Sequence, residues 1–430
     1  MGRKCVLISY VWPEPQSSAA GLRHRNLIEA LFRSGYEVAI ASAAQNELGR
    51  QSCEQWAREW NGVSVKALQL NHSSFDEWIS EKKPDLVMFD RFVVEEQFGW
   101  RVRGSAPEAT CILDTSDLHF LRVSREKHSR LIPRDGNPLV GVGPVADAME
   151  WDVDLACREL ASIHRVDLTW LVSDFERELL TRQFGVDPRR LAVSRFAYPE
   201  QGRAPAGVAA RDFGGRLGFC LLGNFRHAPN LDAFRWMRSV VWPKIRAELP
   251  AAELHIYGAY PTKEVMEAHS PRTGFLVHGR AESLDEVFAL RRVSLAPLRF
   301  GAGIKGKISD SWWHGLPVVS TSIGLEGMSD GGSWGGRIAD SVEAFARACV
   351  ELHESEAEWI KAREHGRRVL REMFSTDRFE RDFKAGLIQA RENQGWRESD
   401  WIRRMMVHST LDSYRYFGRW IQLKQSRANP

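Results

Sequence analysis

The stretch from residue 297 to residue 328 decides the fold: it reads PLRFGAGIKGKISDSWWHGLPVVSTSIGLEGM. A short apolar run of strand length precedes it, and a helical segment follows the glycines. Gly315 is typical of a residue that ends a helix, and Pro317 stands before the next apolar run. The stretch therefore predicts a strand, a glycine-rich loop, a helix and a second strand.

The loop in this stretch combines small residues with positive charge. Gly301, Gly303 and Gly306 let backbone N–H groups approach an anion closely, and the N-terminus of a helix favours negative charge. Lys305 and Lys307 add two ammonium groups at the same place. The combination indicates a diphosphate site that needs no metal ion; the alternative is a tight strand-to-helix turn with solvated lysines.

Short apolar runs alternate with helical segments along most of the chain, which is typical of parallel-sheet α/β domains. The predicted strands of the first half are 5–9, 37–41, 85–89, 111–114 and 168–172. Those of the second half are 219–222, 254–257, 275–278, 293–296 and 318–321. We therefore expect two doubly wound domains, with ligands bound beyond the carboxyl ends of the strands.

Two of the predicted helices have a single apolar stripe at a spacing of three and four residues. The stripe of the first, which ends at Gly35, is Leu27, Ile28, Leu31 and Phe32. The stripe of the second is Phe234, Met237, Val241 and Ile245. Each stripe predicts a helix that packs on its sheet.

Residues 199–215 are rich in Pro, Gly and Ala and have no periodicity, so we place the domain boundary there. The predicted organisation is a first Rossmann-like domain over 1–198, this linker, a second Rossmann-like domain over 216–385 and a basic helical segment over 386–430.

Composition excludes several classes of protein. The chain has 430 residues, 43% of them hydrophobic and 27% charged, which is a globular mixture rather than that of a disordered or fibrous chain. A formal charge of +3 does not indicate a nucleic-acid-binding protein. The six cysteines are scattered singly, without metal-ligand spacing, so we expect reduced thiols, a cytoplasmic location and no metal site. No apolar run is long enough to span a bilayer, and the N-terminus does not read as a signal peptide.

The segment from Trp396 to Pro430 has seven Lys and Arg residues against three acidic ones, with aromatic residues among them. One interpretation is a terminal helix that packs on the domains and exposes a basic face. The other is a basic amphipathic helix that contacts an anionic membrane surface, at the inner face of the membrane.

The loop GAGIKGK, followed by a helix and GLPVV, resembles the donor-site signature of retaining family 4 glycosyltransferases of the two-Rossmann (GT-B) architecture. ISYVWPEPQSSAAGLRHRNLIEALFRSGYEV resembles the first strand, loop and helix of that family, and LLGNFRHAPNLDAFRW resembles the opening of its nucleotide-binding domain. The resemblance covers residues 1–385. It implies an interdomain cleft, a nucleotide-sugar donor as substrate and no cofactor.

The resemblance assigns roles to residues of the second domain. Arg226 and Lys307 correspond to basic residues on the donor diphosphate, and Asp310 stands where the family has a Glu that binds the ribose hydroxyls. The earlier Glu of the family's paired-acid motif falls on Ala302, so that motif is absent. The other donor-binding positions are Gly223, Gly279, Arg280, Gly301, Gly303, Ile304, Lys305 and Gly306.

In the first domain, Gly21 resembles the glycine that lets the loop after the first strand approach the donor. Asp117 and His119 follow a strand at the mouth of the expected cleft, where related enzymes contact the sugar or assist the acceptor. For Arg23 and Arg25 the sequence leaves two interpretations open: they hold phosphate, or they project into solvent.

Trp312 and Trp313 lie in the helix that follows the glycine-rich loop. Packing between helix and sheet is the favoured interpretation of both, and stacking on a sugar ring is the alternative.

The sequence thus predicts a retaining, metal-independent transfer of a sugar from a nucleoside-diphosphate donor to a glycan or lipid-linked acceptor, without a nucleic-acid partner. Two alternatives stay open. A nucleotide-sugar 2-epimerase would need several acidic and His residues for proton abstraction, and a non-catalytic sugar-nucleotide-binding scaffold subunit is consistent with Ala302.

Overall fold

The computed structural model describes residues 2–13, 19–133, 149–198, 212–281, 283–329, 332 and 334–428. Contacts divide the chain into two compact units. Unit 1 comprises Met1–Leu118, Val153–Phe196 and Phe379–Pro430, and unit 2 comprises His119–Asp152 and Ala197–Arg378. Of the predicted linker, residues 199–211 lie outside the described residues.

Unit 1 contains a sheet of seven described strands, all paired in parallel, in the order β3-β2-β1-β4-β5-β6-β7. Their bounds are β1 Arg3–Ser9, β2 Tyr36–Ser42, β3 Val63–Ala67, β4 Leu86–Asp90, β5 Thr110–Asp114, β6 Leu168–Leu171 and β7 Leu191–Val193. The inner strands β4, β5 and β6 are buried throughout, as is typical of parallel strands covered on both faces.

Unit 2 contains a second sheet, of six described parallel strands, in the order β10-β9-β8-β11-β12-β13. Their bounds are β8 Phe219–Leu222, β9 Leu254–Tyr257, β10 Phe275–Gly279, β11 Val293–Ala296, β12 Val318–Ser320 and β13 Gly336–Ile338.

Helices connect the strands in both units. Those of the first half are α1 Ala19–Arg33, α2 Glu47–Ala57, α3 Ser74–Lys82, α4 Phe92–Ser105, α5 His119–Ser129, α6 Val153–Arg165 and α7 Asp174–Phe184. Those that follow are α8 Ala228–Trp236, α9 Trp242–Glu248, α10 Lys263–Glu267, α11 Leu284–Leu290, α12 Gly306–Trp313, α13 Ser322–Leu325, α14 Val342–Glu354, α15 Glu356–Met373, α16 Thr376–Gln394 and α17 Trp401–Ala428.

The predicted fold class is confirmed: two Rossmann-like, doubly wound parallel sheets with helices at the C-terminal end of the chain. All ten predicted strands are present, and the sequence missed β3, β7 and β13. Each of these three lies at an edge of its sheet. They lack the continuous apolar run of an inner strand, since β7 and β13 have three residues each and β3 is largely exposed.

In the first predicted stripe Leu27, Ile28 and Leu31 are buried and Phe32 is half-buried, and the second stripe is buried throughout. In the first, the chain leaves α1 through Gly35 at φ +79°, a left-handed conformation that glycine adopts at little cost. In the second, α8 and α9 are joined by a π-helical turn over Met237–Val241, which keeps the four apolar residues in the core.

Candidate functional site

In unit 2 the direction of chain crossing reverses between β8 and β11. The chain runs from β8 outward through β9 to β10, then returns to pair β11 with the other side of β8. The loops after β8 and β11 therefore part in opposite directions at the carboxyl ends of two adjacent strands. In open α/β sheets this is the position at which ligands bind.

The glycine-rich loop (residues 297–305) follows β11 and ends at the first turn of α12. Gly301 has φ +155° and Gly303 has φ +67°, a region in which a side chain is strained. Gly306, which is buried, is the first residue of α12, and the buried Ile304 precedes the helix by two positions. The backbone N–H of Lys305 donates to Sδ of Met328 at 3.3 Å.

Two lysines stand at the start of α12. Lys305 is buried and its Nζ donates to the carbonyl oxygen of Gly303 at 2.6 Å. Lys307 is half-buried and its Nζ donates to Oδ1 of Asn230 at 2.6 Å. Burial, and then the charge of Lys305, lower the pKa of Lys307 to about 7.

The position of the two lysines is unfavourable for the stability of α12. Cations are favoured at the C-terminal end of a helix, and here two occupy the N-terminal end, where the helix dipole repels them. Among the described residues, no carboxylate lies within ion-pair distance of Lys307. A bound anion at this point would relieve both costs.

Asn230 links the two loops of the site. Its Nδ2 donates to the carbonyl oxygen of Asn224, in the loop after β8, at 2.9 Å, while its Oδ1 accepts from Lys307. A Cβ atom on Gly223 would lie only 2.9 Å from Cβ of Asn230, so this approach requires the glycine. Sequence reasoning missed Asn230. The signal available was its position directly after Pro229, in the first turn of a helix that follows a strand.

The loops after β8, β9 and β10 are hydrogen-bonded to one another. Phe225 N–H donates to the carbonyl of Ala259 at 3.1 Å, and Gly258 N–H donates to that of Gly279 at 2.7 Å. A Cβ atom on Gly258 would overlap the carbonyl oxygen of Gly223. Gly279 itself has φ +74° and open space around it.

Both predicted arginines of unit 2 are exposed. The guanidinium of Arg226 lies 3.7 Å from the ring centroid of Tyr260, in the loop after β9. Arg280 follows Gly279 directly at the end of β10. Arg226 therefore rests on an aromatic ring at the same edge of the sheet as Lys307, at the surface of the protein.

Asp310 lies one turn along α12 from Lys307. Burial raises the pKa of its carboxyl to about 6, although Tyr198 O–H donates to its Oδ1 at 2.6 Å and His314 lies nearby, both of which lower it. The Tyr198 hydroxyl also lies 2.9 Å from Oγ of Ser309. Sequence reasoning missed Tyr198, because its separation of 112 residues from Asp310 leaves no local signal.

A buried arginine of α5 holds the glycine-rich loop. One Nη of Arg125 donates to the carbonyl of Gly301 at 2.8 Å, and both Nη atoms reach the carboxylate of Glu326 at 2.7 Å. Arg299, within the loop, donates to the carbonyl of Ser129 at 2.9 Å. Neither Arg125 nor Glu326 was predicted, because 201 residues separate them.

The remaining predicted residues are distributed over both units. His119 is the first residue of α5 in unit 2, whereas Asp117 belongs to unit 1; both are half-buried. Gly21 lies inside α1 of unit 1, as its third residue, rather than in the loop that was expected to hold it.

Neither alternative offered for Arg23 describes it. Its side chain is 1% exposed and forms a bidentate ion pair with Asp114 at 2.5 to 2.8 Å. It also donates to the carbonyl of Ser194 at 2.5 Å. Arg25 does project outward and pairs with Glu29 at 2.6 Å.

Trp312 is packed in the interior, with its ring against α15, where a Cβ atom on Gly366 would lie 2.7 Å from its Cδ1. It is 1% exposed, and its Nε1 donates to the carbonyl of Gly335 at 2.9 Å. Trp313 is half-buried, with its ring edge-on to that of His314. Within the described ranges there is no group of three or more His, Cys, Asp or Glu side chains arranged to hold a metal ion.

A family model matches part of unit 2. Residues 216–355, which contain the glycine-rich loop, α12 and the loops after β8 to β10, match the family model described as glycosyl transferases group 1. No curated protein matches the sequence.

Solved structures share the fold of nearly the whole chain. A glycosyltransferase from Rickettsia africae aligns with a TM-score of 0.60 at 11% identity, over 91% of this chain and 98% of that one. Anabaena HepE in complex with UDP and glucose aligns with 0.60 at 11% identity, over 89% and 98%. S. aureus TarM aligns with 0.63 at 8% identity, over 89% and 98%. At such identities the likeness shows the fold, which is the two-domain GT-B type.

Proposed function

We propose that the protein is a retaining, metal-independent glycosyltransferase that moves a sugar from a nucleoside-diphosphate donor to a glycan or lipid-linked acceptor. The observation that carries the proposal is a pair of lysines, Lys305 directly before α12 and Lys307 in its first turn, next to the reversal point of the sheet. The family match over the same residues supports it.

The chemistry follows from the charge that develops during the reaction. As the bond to the sugar breaks, negative charge grows on the departing diphosphate while the sugar becomes oxocarbenium-like. Cations and helix N–H groups aimed at that phosphate lower the barrier, provided that they bind the leaving group more strongly than the intact donor. Lys307 is suited to this, because its burial makes the charged form costly until a phosphate neutralises it.

Asp310 is the candidate for the ribose of the donor. Its Oδ1 is fixed by Tyr198, and this hydrogen bond orients the carboxylate in the middle of α12. The resemblance to family 4 enzymes assigns this position to the ribose hydroxyls. Because its pKa is about 6, Asp310 is an acceptor at neutral pH.

Retention of the anomeric configuration is proposed from the resemblance alone. The acceptor would attack the same face of the sugar that the leaving phosphate departs from, guided by that phosphate. Gly279 and Arg280 are proposed to lie beside the nucleotide base, and Gly21, Asp117 and His119 on the acceptor side. The reduced cysteines favour a cytoplasmic location. HepE was solved with UDP and with UDP-glucose, which makes uridine nucleotides the first donors to test.

The test is a panel of UDP, GDP, dTDP and ADP, titrated with magnesium and with EDTA, followed by assays with the matching sugar nucleotides. We expect one nucleotide to bind equally in both conditions. Lys307→Ala should weaken that binding ~10- to 100-fold, the usual cost of removing a charge-assisted contact. The matched control is Lys263→Ala, an exposed lysine of α10.

Three results would contradict the proposal. A strict requirement for magnesium would remove the metal-independent mechanism. Conversion of the donor to its 2-epimer would identify an epimerase. Tight nucleotide binding without transfer to any glycan or lipid-linked acceptor, and without donor hydrolysis, would identify a scaffold subunit.

A further inference from the structure

The last helix, α17, exposes large apolar side chains in two stretches, 401–405 and 416–423. The exposed residues are Trp401, Ile402, Met405, Tyr416, Phe417, Trp420 and Leu423, each between 48% and 68% exposed. Trp401, Met405, Tyr416 and Trp420 recur at spacings of four and eleven residues, which places them on one face of a helix. We call these seven residues the apolar stripe.

The opposite side of α17 packs on unit 1. Gly418 is buried, and a Cβ atom there would lie 3.4 Å from Oδ1 of Asn71 and 3.5 Å from Trp100. Arg403 donates to the carbonyl of Arg165 at 3.2 Å. A helix that served only as packing would bury its large apolar residues. Here Met406, Val407 and Ile421 are half-buried, whereas the apolar stripe is exposed.

The start of α17 is fixed in this orientation. Oδ1 of Asp400 accepts from the backbone N–H of Arg403 at 2.9 Å, and Asp400 also pairs with Arg190. Just before it, Arg397 pairs with the buried Asp167 at 2.5 Å. The stripe therefore belongs to a helix held at its start by ion pairs rather than to a loose tail.

Positive charge accompanies the stripe. Residues 401–428 contain six Lys and Arg and one acidic residue, a net charge of +5. The guanidinium of Arg404 lies 4.5 Å from the ring centroid of Trp401, and Nζ of Lys424 lies 5.1 Å from that of Trp420. Cations at both ends of an aromatic and aliphatic stripe match the boundary between lipid headgroups and acyl chains.

We propose that α17 binds the surface of an anionic lipid bilayer, lying in its plane with the apolar stripe among the upper acyl chains. A helix of 28 residues offers a contact ~42 Å long. A second copy of this chain fits less well, since it would bring a second charge of +5 against the first. A nucleic acid also fits less well, because it would contact the basic residues and leave Ile402, Met405 and Leu423 exposed to water. In the part of the chain that the structure describes, no helix is long and apolar enough to cross a bilayer.

The test uses the full chain and sedimentation with vesicles of phosphatidylcholine, either pure or with about a quarter phosphatidylglycerol. We expect binding to the anionic vesicles and weak binding to the neutral ones. Replacing Trp401, Met405, Trp420 and Leu423 together by Ser should weaken binding ~10-fold or more, and so should charge reversal by Arg404→Glu, Arg419→Glu and Lys424→Glu.

The control is Leu48→Ser with Ile388→Ser, two exposed apolar residues of unit 1 outside α17. It should bind like the wild type, and circular dichroism should show that all variants fold.

Equal binding by every variant, or no binding by the wild type, would overturn the proposal. If the protein self-associates without lipid and the Ser variant does not, the apolar stripe binds a second copy of the chain. If the protein binds an oligonucleotide but not vesicles, the helix binds nucleic acid. The proposal does not depend on sugar transfer, so it fails or stands separately from that function.

Discussion

At the carboxyl end of the unit 1 sheet, Arg23 is buried against the carboxylate of Asp114, whereas at the equivalent end of the unit 2 sheet Lys307 donates to the neutral amide of Asn230. Asp114 ends β5 and Asn230 lies in the helix after β8, so both polar partners are supplied by the strand-to-helix connections of a parallel sheet. The difference lies in what compensates the buried cation.

In unit 1 the charge is fully matched inside the protein. A bidentate pair satisfies the guanidinium, and the cluster has no charge left for a ligand. In unit 2 the amide oxygen accepts a hydrogen bond but brings no negative charge. Burial therefore lowers the pKa of Lys307 to about 7, and under the proposed function a diphosphate would supply the negative charge that the protein does not.

The largest effect should come from breaking the unit 1 pair. Arg23→Ala leaves Asp114 buried and uncompensated, and we expect the free energy of unfolding of unit 1 to fall by about 3 to 5 kcal/mol in urea denaturation. Nucleotide affinity should be unchanged at temperatures where the variant is folded. Replacing both partners, Arg23→Met with Asp114→Leu, should restore much of the stability. A loss below about 1 kcal/mol for Arg23→Ala would show that this pair is not what holds the region.

A smaller effect should follow from giving unit 2 the arrangement of unit 1. Asn230→Asp places a carboxylate beside Nζ of Lys307, which raises the pKa of the lysine and neutralises its charge at the site. We expect UDP to bind ~10-fold more weakly, about 1.4 kcal/mol, by isothermal titration calorimetry. Asn230→Ala removes the hydrogen bond without adding charge and should weaken binding less. Tighter binding by Asn230→Asp would mean that Lys307 does not act through its charge.

The sequence predicted the inner strands and the glycine-rich loop because each leaves a local signal. A buried parallel strand is a continuous apolar run, and a left-handed turn before a helix needs glycine, as at Gly303. The edge strand β3 alternates exposed and half-buried residues and lacks that signal.

The partners of the site could not be predicted in the same way. Tyr198 on Asp310 and Arg125 on Glu326 are contacts between residues far apart in the chain, and a single sequence contains no trace of them. Arg23 shows the same limit. Its position two residues after Gly21 left open whether it holds phosphate or projects into solvent, and only the fold shows that Asp114, 91 residues away, takes its charge.

The most direct test of the account is the number of protons that UDP binding takes up. At pH 8 free Lys307 is mostly neutral because its pKa is about 7, while the terminal phosphate of UDP is already ionised. Titration calorimetry at pH 8 in two buffers of different ionisation enthalpy should therefore show uptake of ~0.9 proton per UDP, and affinity that falls as pH rises above 7. Below pH 6, protonation of Asp310 should weaken binding as well.

Lys307→Ala should show no proton uptake at pH 8. Lys307→Arg, whose side chain stays charged, should bind UDP without proton uptake. Equal proton uptake by the wild type and Lys307→Ala would contradict the claim that this lysine meets the diphosphate.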